Sequence, residues 1–222
     1  DIVPLGDSVD EGMCHERIAD FVACMEADNS TMKTLKRYFK GSKALRAAAT
    51  VPFSSAYKYS AVSFSSGETY VLGAPEFVLR ENYENYEEKV STYSSKGYRV
   101  LIFGTYPKNP AGEALTETFT PLCLILLSNQ IRAEAPETFQ YFAKQGVAIK
   151  VISGDNPITV SEVATKAGIA NADRYVDART LTDDAAIAAA VNTYTVFGRV
   201  TPDQKRKFVK ALQASGHTVA MT

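Results

Sequence analysis

VAIKVISGDN, residues 147–156, decides how this chain is read. An apolar run stops abruptly at a hydroxyl, a glycine, a carboxylate and an amide. Pro157 then opens a segment, ITVSEVATKAGI, whose apolar residues recur at helical spacing. A buried strand feeding a tight turn and a helix start is an anion site in outline, because unpaired backbone N–H groups and the helix dipole converge there. On these residues alone an ordinary helix cap is the simpler reading of Asp155-Asn156.

Outward from that stretch the pattern is regular. A strand at 122–127 precedes a helix at 134–145, with Pro136 tolerable in its first turn. The strand at 147–152 precedes a helix at 157–167 closed by Gly168. A strand at 195–197 precedes a helix at 202–214 closed by Gly216, and a last strand is expected at 218–221. Thr201-Pro202-Asp203-Gln204 forms a capping box, with threonine at the cap and glutamine three residues on. Alternating strands and helices predict α/β architecture, a parallel sheet with helices on both faces.

The first half has another texture. Residues 11–27 place Ile18, Phe21, Val22 and Met25 on one helical stripe. A second helix is expected from Ser30 as N-cap, through Met32, Leu35 and Phe39, to Gly41. Residues 57–64 and 69–72 read as a hairpin joined at Ser65-Ser66-Gly67. The turn Gly73-Ala74-Pro75, helices at 76–79 and 84–96 and a strand at 99–106 complete an α+β half. The Pro-rich loop 107–120 is the expected boundary, giving domains 1–120 and 121–222.

Composition narrows the function. At 45% hydrophobic and 22% charged, the chain has the make-up of a globular protein rather than a disordered one. A net charge of −1 without a basic block argues against nucleic acid as a partner. No run approaches the ~20 apolar residues of a membrane span, and residues 1–9 lack the pattern of a secretion signal. Three cysteines without a CxxC pair suit a reducing compartment, and Cys14-His15 with Cys24 has no evident fourth ligand for a metal.

In open parallel sheets, ligands sit beyond the carboxyl ends of the strands, where Ser153, Gly154 and Asp155 would lie. The Ser153 hydroxyl can donate to a phosphoryl oxygen, and Gly154 lets the backbone approach it. Asp155 can cap the helix or orient a nucleotide. Lys205, in the first turn of a later helix, can reach the same edge, although a lysine there opposes the helix dipole and is usually a surface charge.

Several of these motifs, in order, resemble P-type cation-transporting ATPases of the haloacid dehalogenase-like superfamily. Ser153-Gly154-Asp155 is similar to their TGD motif, and the segment from Phe197 to Lys205, FGRVTPDQK, to FARVxPxxK. Val219-Ala220-Met221-Thr222 matches the residues preceding their GDGxND loop. Asn129 with Ile131-Arg132 resembles the hinge segment DxxR, with asparagine in place of aspartate. In the first half, Phe53-Ser54-Ser55 with Lys58 resembles FSSxxK, Leu72-Gly73-Ala74-Pro75-Glu76 resembles KGAPE, and Gly97-Tyr98-Arg99-Val100 resembles the G-x-R-V strand. Asn29-Ser30-Thr31-Met32 resembles N-P-T-E, with Met32 replacing a glutamate that contacts adenine.

The resemblance implies an ATP-binding domain joined to the later part of an incomplete, Rossmann-like phosphorylation domain. Phe53 would stack on adenine, Lys58 and Arg99 would hold the phosphates, and Gly73, Leu72 and Met32 would line the pocket. Ser153, Asp155 and Lys205 would surround the transferred phosphoryl group, with Gly154, Arg132 and Arg199 in nucleotide contact and domain closure. No DKTGT aspartate and no GDGxND loop occurs among these residues, and Asp7 lacks the DKTG context. The chain alone is therefore expected to bind ATP without turnover and to carry no metal site. The parent enzyme would use Mg²⁺, sit in a membrane with this part on the cytoplasmic side, and move a cation held by its membrane helices, calcium or another divalent ion. This part is expected to be monomeric. A phosphatase of the same superfamily with a cap domain, or a non-catalytic nucleotide-binding module, are the alternatives.

Overall fold

Two compact units organise the chain in a computed structural model that describes residues 1–6, 8–41, 45–128 and 131–221. Asp7, Asn129 and Thr222 lie outside the described residues. One compact unit is Asp1–Val90 with Val100–Leu127; the other is Ser91–Arg99 with Ser128–Thr222.

The first unit is built on a six-stranded sheet. Its strands are β1 (Ile2–Pro4), β2 (Ala47–Val51), β3 (Tyr59–Phe64), β4 (Thr69–Gly73), β5 (Tyr98–Thr105) and β6 (Thr120–Ser128), in the order β1-β6-β5-β4-β3-β2. β3 and β4 form the expected antiparallel hairpin, with Ala61 opposite Val71. Helices α1 (Glu11–Cys24) and α2 (Ser30–Tyr38) pack on one face. The stripe Cys14, Ile18, Phe21 and Val22 of α1 is buried, as i, i+4, i+7 and i+8 spacing requires. The Phe21 ring meets Phe103 of β5 edge-on at 5.5 Å, and Tyr70 of β4 stacks on Phe103 at 5.4 Å. Each such fully buried side chain contributes ~1.5–3 kcal/mol of transfer free energy. Burial also pushes the Tyr70 phenol up to about 12.

α2 is capped one residue earlier than expected. The Asn29 side chain accepts from the Met32 amide at 2.8 Å, and Ser30 is the first helical residue. After α3 (Pro75–Leu79), the expected helix at 84–96 splits into a 3₁₀ turn, Arg80–Asn85, and α4 (Glu87–Ser94).

The strand expected to open the parallel half is the largest correction. β6 pairs antiparallel with β1, Ile125 opposite Ile2, and lies beside β5 in the first sheet. The loop before it is therefore internal to the first unit. Its apolar run is buried in the same core as α1 and α2, with Cys123 and Ile125 among those side chains.

The second unit carries the parallel sheet. Its strands β7 (Val151–Ile152), β8 (Tyr175–Asp177) and β9 (Val196–Gly198) run in the order β7-β9-β8, each pairing parallel to β9. The helices are α5 (Ala135–Lys144), α6 (Pro157–Lys166), α7 (Asp184–Thr193) and α8 (Pro202–Ala214). Val196 and Phe197 of β9 point to opposite faces, as the period of two dictates. Val196 packs with Val160 and Ala164 of α6, and Phe197 with Ile187 of α7 and Phe208 of α8. Helices thus cover both faces, as the sequence pattern predicts.

Three short segments differ from expectation. The ladder of β7 involves only Val151 and Ile152 rather than all of 147–152, and residues 218–221 form no ladder, since neither finds a further strand to pair with among the described residues. β8, with the 3₁₀ turn Ala178–Thr180 and α7, lies where no element was expected.

Candidate functional site

The carboxyl ends of β7, β8 and β9 share one edge of the parallel sheet. There the Ser153 amide donates to the Phe197 carbonyl at 2.9 Å, and the Val200 amide donates to the Ser153 carbonyl at 2.9 Å. Ser153 is thereby fixed between two chain segments. Its Oγ accepts from the Asp155 amide at 3.1 Å, so the hydroxyl proton is left to donate outward. Asn156, rather than Asp155, caps α6: its Oδ1 accepts from the Ile158 amide at 2.9 Å, with Pro157 at the first helical position.

Asp155 has a different partner. Its Oδ1 lies 3.2 Å from Nε of Arg99, both side chains about one-third exposed (31% and 32%). Such a pair contributes no more than ~1 kcal/mol, so it can be exchanged cheaply for a stronger anion. The resemblance had assigned Arg99 to the phosphates beside Phe53; in the structure Arg99 belongs with the second unit and neighbours the turn after β7.

Arg199 is an internal brace. Only 7% exposed and at φ 55°, it donates through its backbone amide to the Asp155 carbonyl at 2.8 Å and through Nη1 to the Gly154 carbonyl at 3.3 Å. A direct nucleotide contact is not where the structure puts this guanidinium. Gly198 before it has a steric duty: a Cβ there would fall 2.4–2.5 Å from Pro157 atoms, so only glycine lets the first turn of α6 rest against β9.

Lys205 lies exposed in the first turn of α8, below a complete capping box in which Thr201 and Gln204 bond reciprocally. Gln204 also donates through Nε2 to the Ala178 carbonyl at 2.8 Å, tying α8 to the end of β8. Arg132 is exposed ahead of α5. Neither Lys205 nor Arg132 makes an ion pair among the described residues.

Sequence reasoning missed Asp177 and Arg179 at the end of β8. Burial pushes the Asp177 carboxyl up, but hydrogen bonds from the Arg179 side chain and amide, with the Arg179 and Arg199 charges, outweigh it and hold the group below its usual range. The Arg179 Nη2 contact is 2.6 Å. The signal was present as an aspartate and an arginine beside a short apolar pair, too brief to register as a strand.

In the first unit, Phe53 is 43% exposed and lies two residues beyond the end of β2. Together with its neighbours in residues 50–54 and with Asn109, Ala111 and Gly112, it lines a cleft of about 340 Å³. Residues 54–58 form a compact turn: the Lys58 amide donates to the Ser54 carbonyl at 2.7 Å, and the Ser54 amide to the Tyr59 carbonyl at 3.1 Å. Lys58 is half-buried at φ 57°. Gly73 is required because a Cβ would come within 2.6–2.8 Å of Val78, the Lys58 carbonyl and Tyr59. Its place is the contact between β4 and the start of β3.

Two expected pocket residues are core residues instead. Leu72 (4% exposed) and Met32 (3%) both pack into the cluster beneath α1 and α2. Leucine and methionine stand at these positions because the surroundings are apolar. Neither side chain faces a surface that a nucleotide could reach.

Among the described residues no group of three or more His, Cys, Asp or Glu could hold a metal ion, and no helix is long and apolar enough to cross a membrane.

Comparison with known proteins bears on this arrangement. The haloacid dehalogenase-like hydrolase family matches residues 15–222. The calcium-transporting ATPase CtpE of Mycolicibacterium smegmatis is 38% identical over 92% of this chain and 26% of its own length. The probable cation-transporting ATPase exp7 of Streptococcus pneumoniae is 34% identical over 100% of this chain and 28% of its own. The magnesium-transporting ATPase, P-type 1, of Salmonella typhimurium is 31% identical over 59% of this chain and 15% of its own. The chain thus spans about a quarter of the length of the first two relatives.

Proposed function

The chain belongs to the haloacid dehalogenase-like hydrolase family, and from that premise we propose that it is the nucleotide-binding part, with a portion of the phosphoryl-handling part, of a P-type cation-transporting ATPase. The first unit binds ATP, with the Phe53 ring against the base and the Lys58 ammonium toward the phosphates. The second unit presents the Ser153 hydroxyl, the Gly154 backbone and the Lys205 ammonium to a phosphoryl group. Arg99 leaves Asp155 when an anion competes for it, and Arg132 assists closure.

The whole enzyme would carry ATP's phosphoryl group on an aspartate and couple its hydrolysis to movement of a cation, of which the calcium transporter among its relatives is one example. That aspartate is not among these residues. Asp155 and Asp177 are each paired with an arginine, so this edge by itself does not suit magnesium, which neutralises phosphate charge in such reactions. The chain alone therefore binds nucleotide without releasing phosphate.

The observation that carries this reading is the half-exposed Phe53 at the mouth of an open cleft beside the Lys58 turn. Calorimetric titration of the 222-residue chain with ATP tests it. Phe53→Ala is expected to weaken binding by ~1–3 kcal/mol, the range for aromatic–base stacking, with no phosphate released by either protein. Unchanged affinity in the variant overturns the assignment.

A further inference from the structure

The loop between β5 and β6 reads in the sequence as a linker, yet the structure ties it down along its length. The Tyr59 hydroxyl donates to the Glu113 carbonyl at 2.5 Å. The Arg80 guanidinium donates to the Leu115 carbonyl. The Tyr106 hydroxyl accepts from the amides of Thr116 and Glu117 at 2.9 and 2.8 Å, and Lys108 pairs with Glu117 at 2.7 Å. Tyr59 and Tyr106 are buried, so these anchors are part of the unit's interior. What they hold in place is the turn at residues 109–112. Asn109 Oδ1 accepts from the Ala111 amide at 3.0 Å, and Ala111 sits at φ 53°, a left-handed conformation that a non-glycine residue adopts at some cost. Asn109, Ala111 and Gly112 of this turn line the same cleft as Phe53.

We propose that the 109–112 turn is the second wall of the base site, and that Asn109 is the residue that selects adenine. The inference rests on the assignment of Phe53 to the base. The cleft, about 340 Å³, is at the lower end of the ~300–1,000 Å³ of small-ligand pockets, a size for a base and sugar rather than a whole triphosphate. With the Asn109 oxygen engaged by Ala111, its amide NH₂ is the group left to donate. A donor aligned with ring position 1 suits adenine, whose N1 accepts, and not guanine, whose N1 carries a hydrogen and whose neighbouring acceptor is O6. Tyr59, Tyr106 and Arg80 are positioning residues that act through the loop.

Titrations of the chain with ATP and with GTP, on the wild type, Phe53→Ala and Asn109→Asp, test the proposal. The aspartate keeps an acceptor for the Ala111 amide but loses the donor, and comparing ATP with GTP cancels the effect of its charge on the phosphates. The expected result is a preference for ATP in the wild type that falls about fivefold to tenfold in Asn109→Asp, the size of one hydrogen bond, with an unchanged melting temperature. An ATP-to-GTP ratio within twofold of the wild type, while Phe53→Ala weakens both nucleotides, overturns this inference and leaves the Phe53 assignment standing. If Phe53→Ala binds both as the wild type does, that assignment fails and this one with it. Photolabelling with an azidoadenine nucleotide supplies a second readout: label on residues 109–112 supports the wall, and label confined to other positions counts against it.

Discussion

The cleft beside Phe53 and the turn after β7 solve opposite problems. At the cleft an aromatic ring is left half in solvent, and the cleft it lines is shared with a turn that other side chains have already fixed. At the Ser153 turn nearly every polar group is committed within the chain: the serine oxygen to the Asp155 amide, the Asp155 carboxylate to Arg99, the Asn156 side chain to α6, and the Gly154 carbonyl to Arg199. The first arrangement offers area, which suits a large flat ligand. The second offers a rigid small cradle with one hydroxyl still able to donate, which suits a compact anion. The difference teaches that tightness of binding should be sought in the first unit and geometric precision in the second.

The largest expected effect breaks or confirms the boundary of the cleft. Leu72→Lys places an ammonium in the core beneath α1 and α2, combining lost apolar packing with an unpaired buried charge. A loss of ~3–5 kcal/mol is expected, a fall in melting temperature of roughly 10 °C for a chain of this size. ATP affinity should not improve. A stable variant that binds ATP more tightly would show that the cleft extends beneath β4. The next effect sharpens the contrast from the other side. Gly198→Ala forces a methyl group onto the Pro157 backbone and should cost ~1–3 kcal/mol, read by urea denaturation, without altering ATP affinity. If affinity falls as well, binding is not confined to the first unit.

The smallest effect concerns acid. The folded Asp177 carboxyl titrates below its unfolded value, so its contribution is complete above about pH 4, the ordinary aspartate range. It is lost as the pH falls through the lower folded value. With Arg179 half-exposed, that contribution is at most ~1 kcal/mol. Stability curves of the wild type and Asp177→Asn should therefore converge below pH 4 and separate above it; parallel curves throughout would mean the pair is held only by solvent-exposed contacts.

What could be read in advance follows from length and periodicity. α8 spans the expected 202–214, capping box included, because thirteen residues with a Thr-Pro start leave little ambiguity. The hairpin of β3 and β4 was legible for the same reason, a clean turn between two β-rich runs. β6 was visible as a strand, but its sheet was not, since an apolar run carries no mark of its neighbours. β1 and β8 span three residues each, and α7, capped by Asp183, is half alanine, with only Ile187 and Val191 as large apolar residues to set a period. Among the proposed site residues, Phe53, Ser153 and Asp155 stand in motifs of the sequence, whereas Asn109 and Arg179 have no such mark, because their positions depend on loops held by distant anchors. Leu72 and Met32 were misjudged where a motif suggested a pocket: the pleat of β4 turns Leu72 inward, and the buried face of α2 does the same for Met32.

β1 and β6 lie side by side with Asp1 and Leu126 exchanging hydrogen bonds, the Leu126 amide donating to the Asp1 carbonyl at 2.9 Å and the Asp1 amino group to the Leu126 carbonyl at 3.2 Å. Mechanically, this makes residues 1 and 126 the two jaws of a zipper. Tension applied between them loads the ladder one rung at a time, Ile2 from Ile125 and then Val3 from Leu124, instead of shearing all rungs together. The first unit should therefore yield to low force at this seam, with β1 peeling from β6 before α1 is loaded.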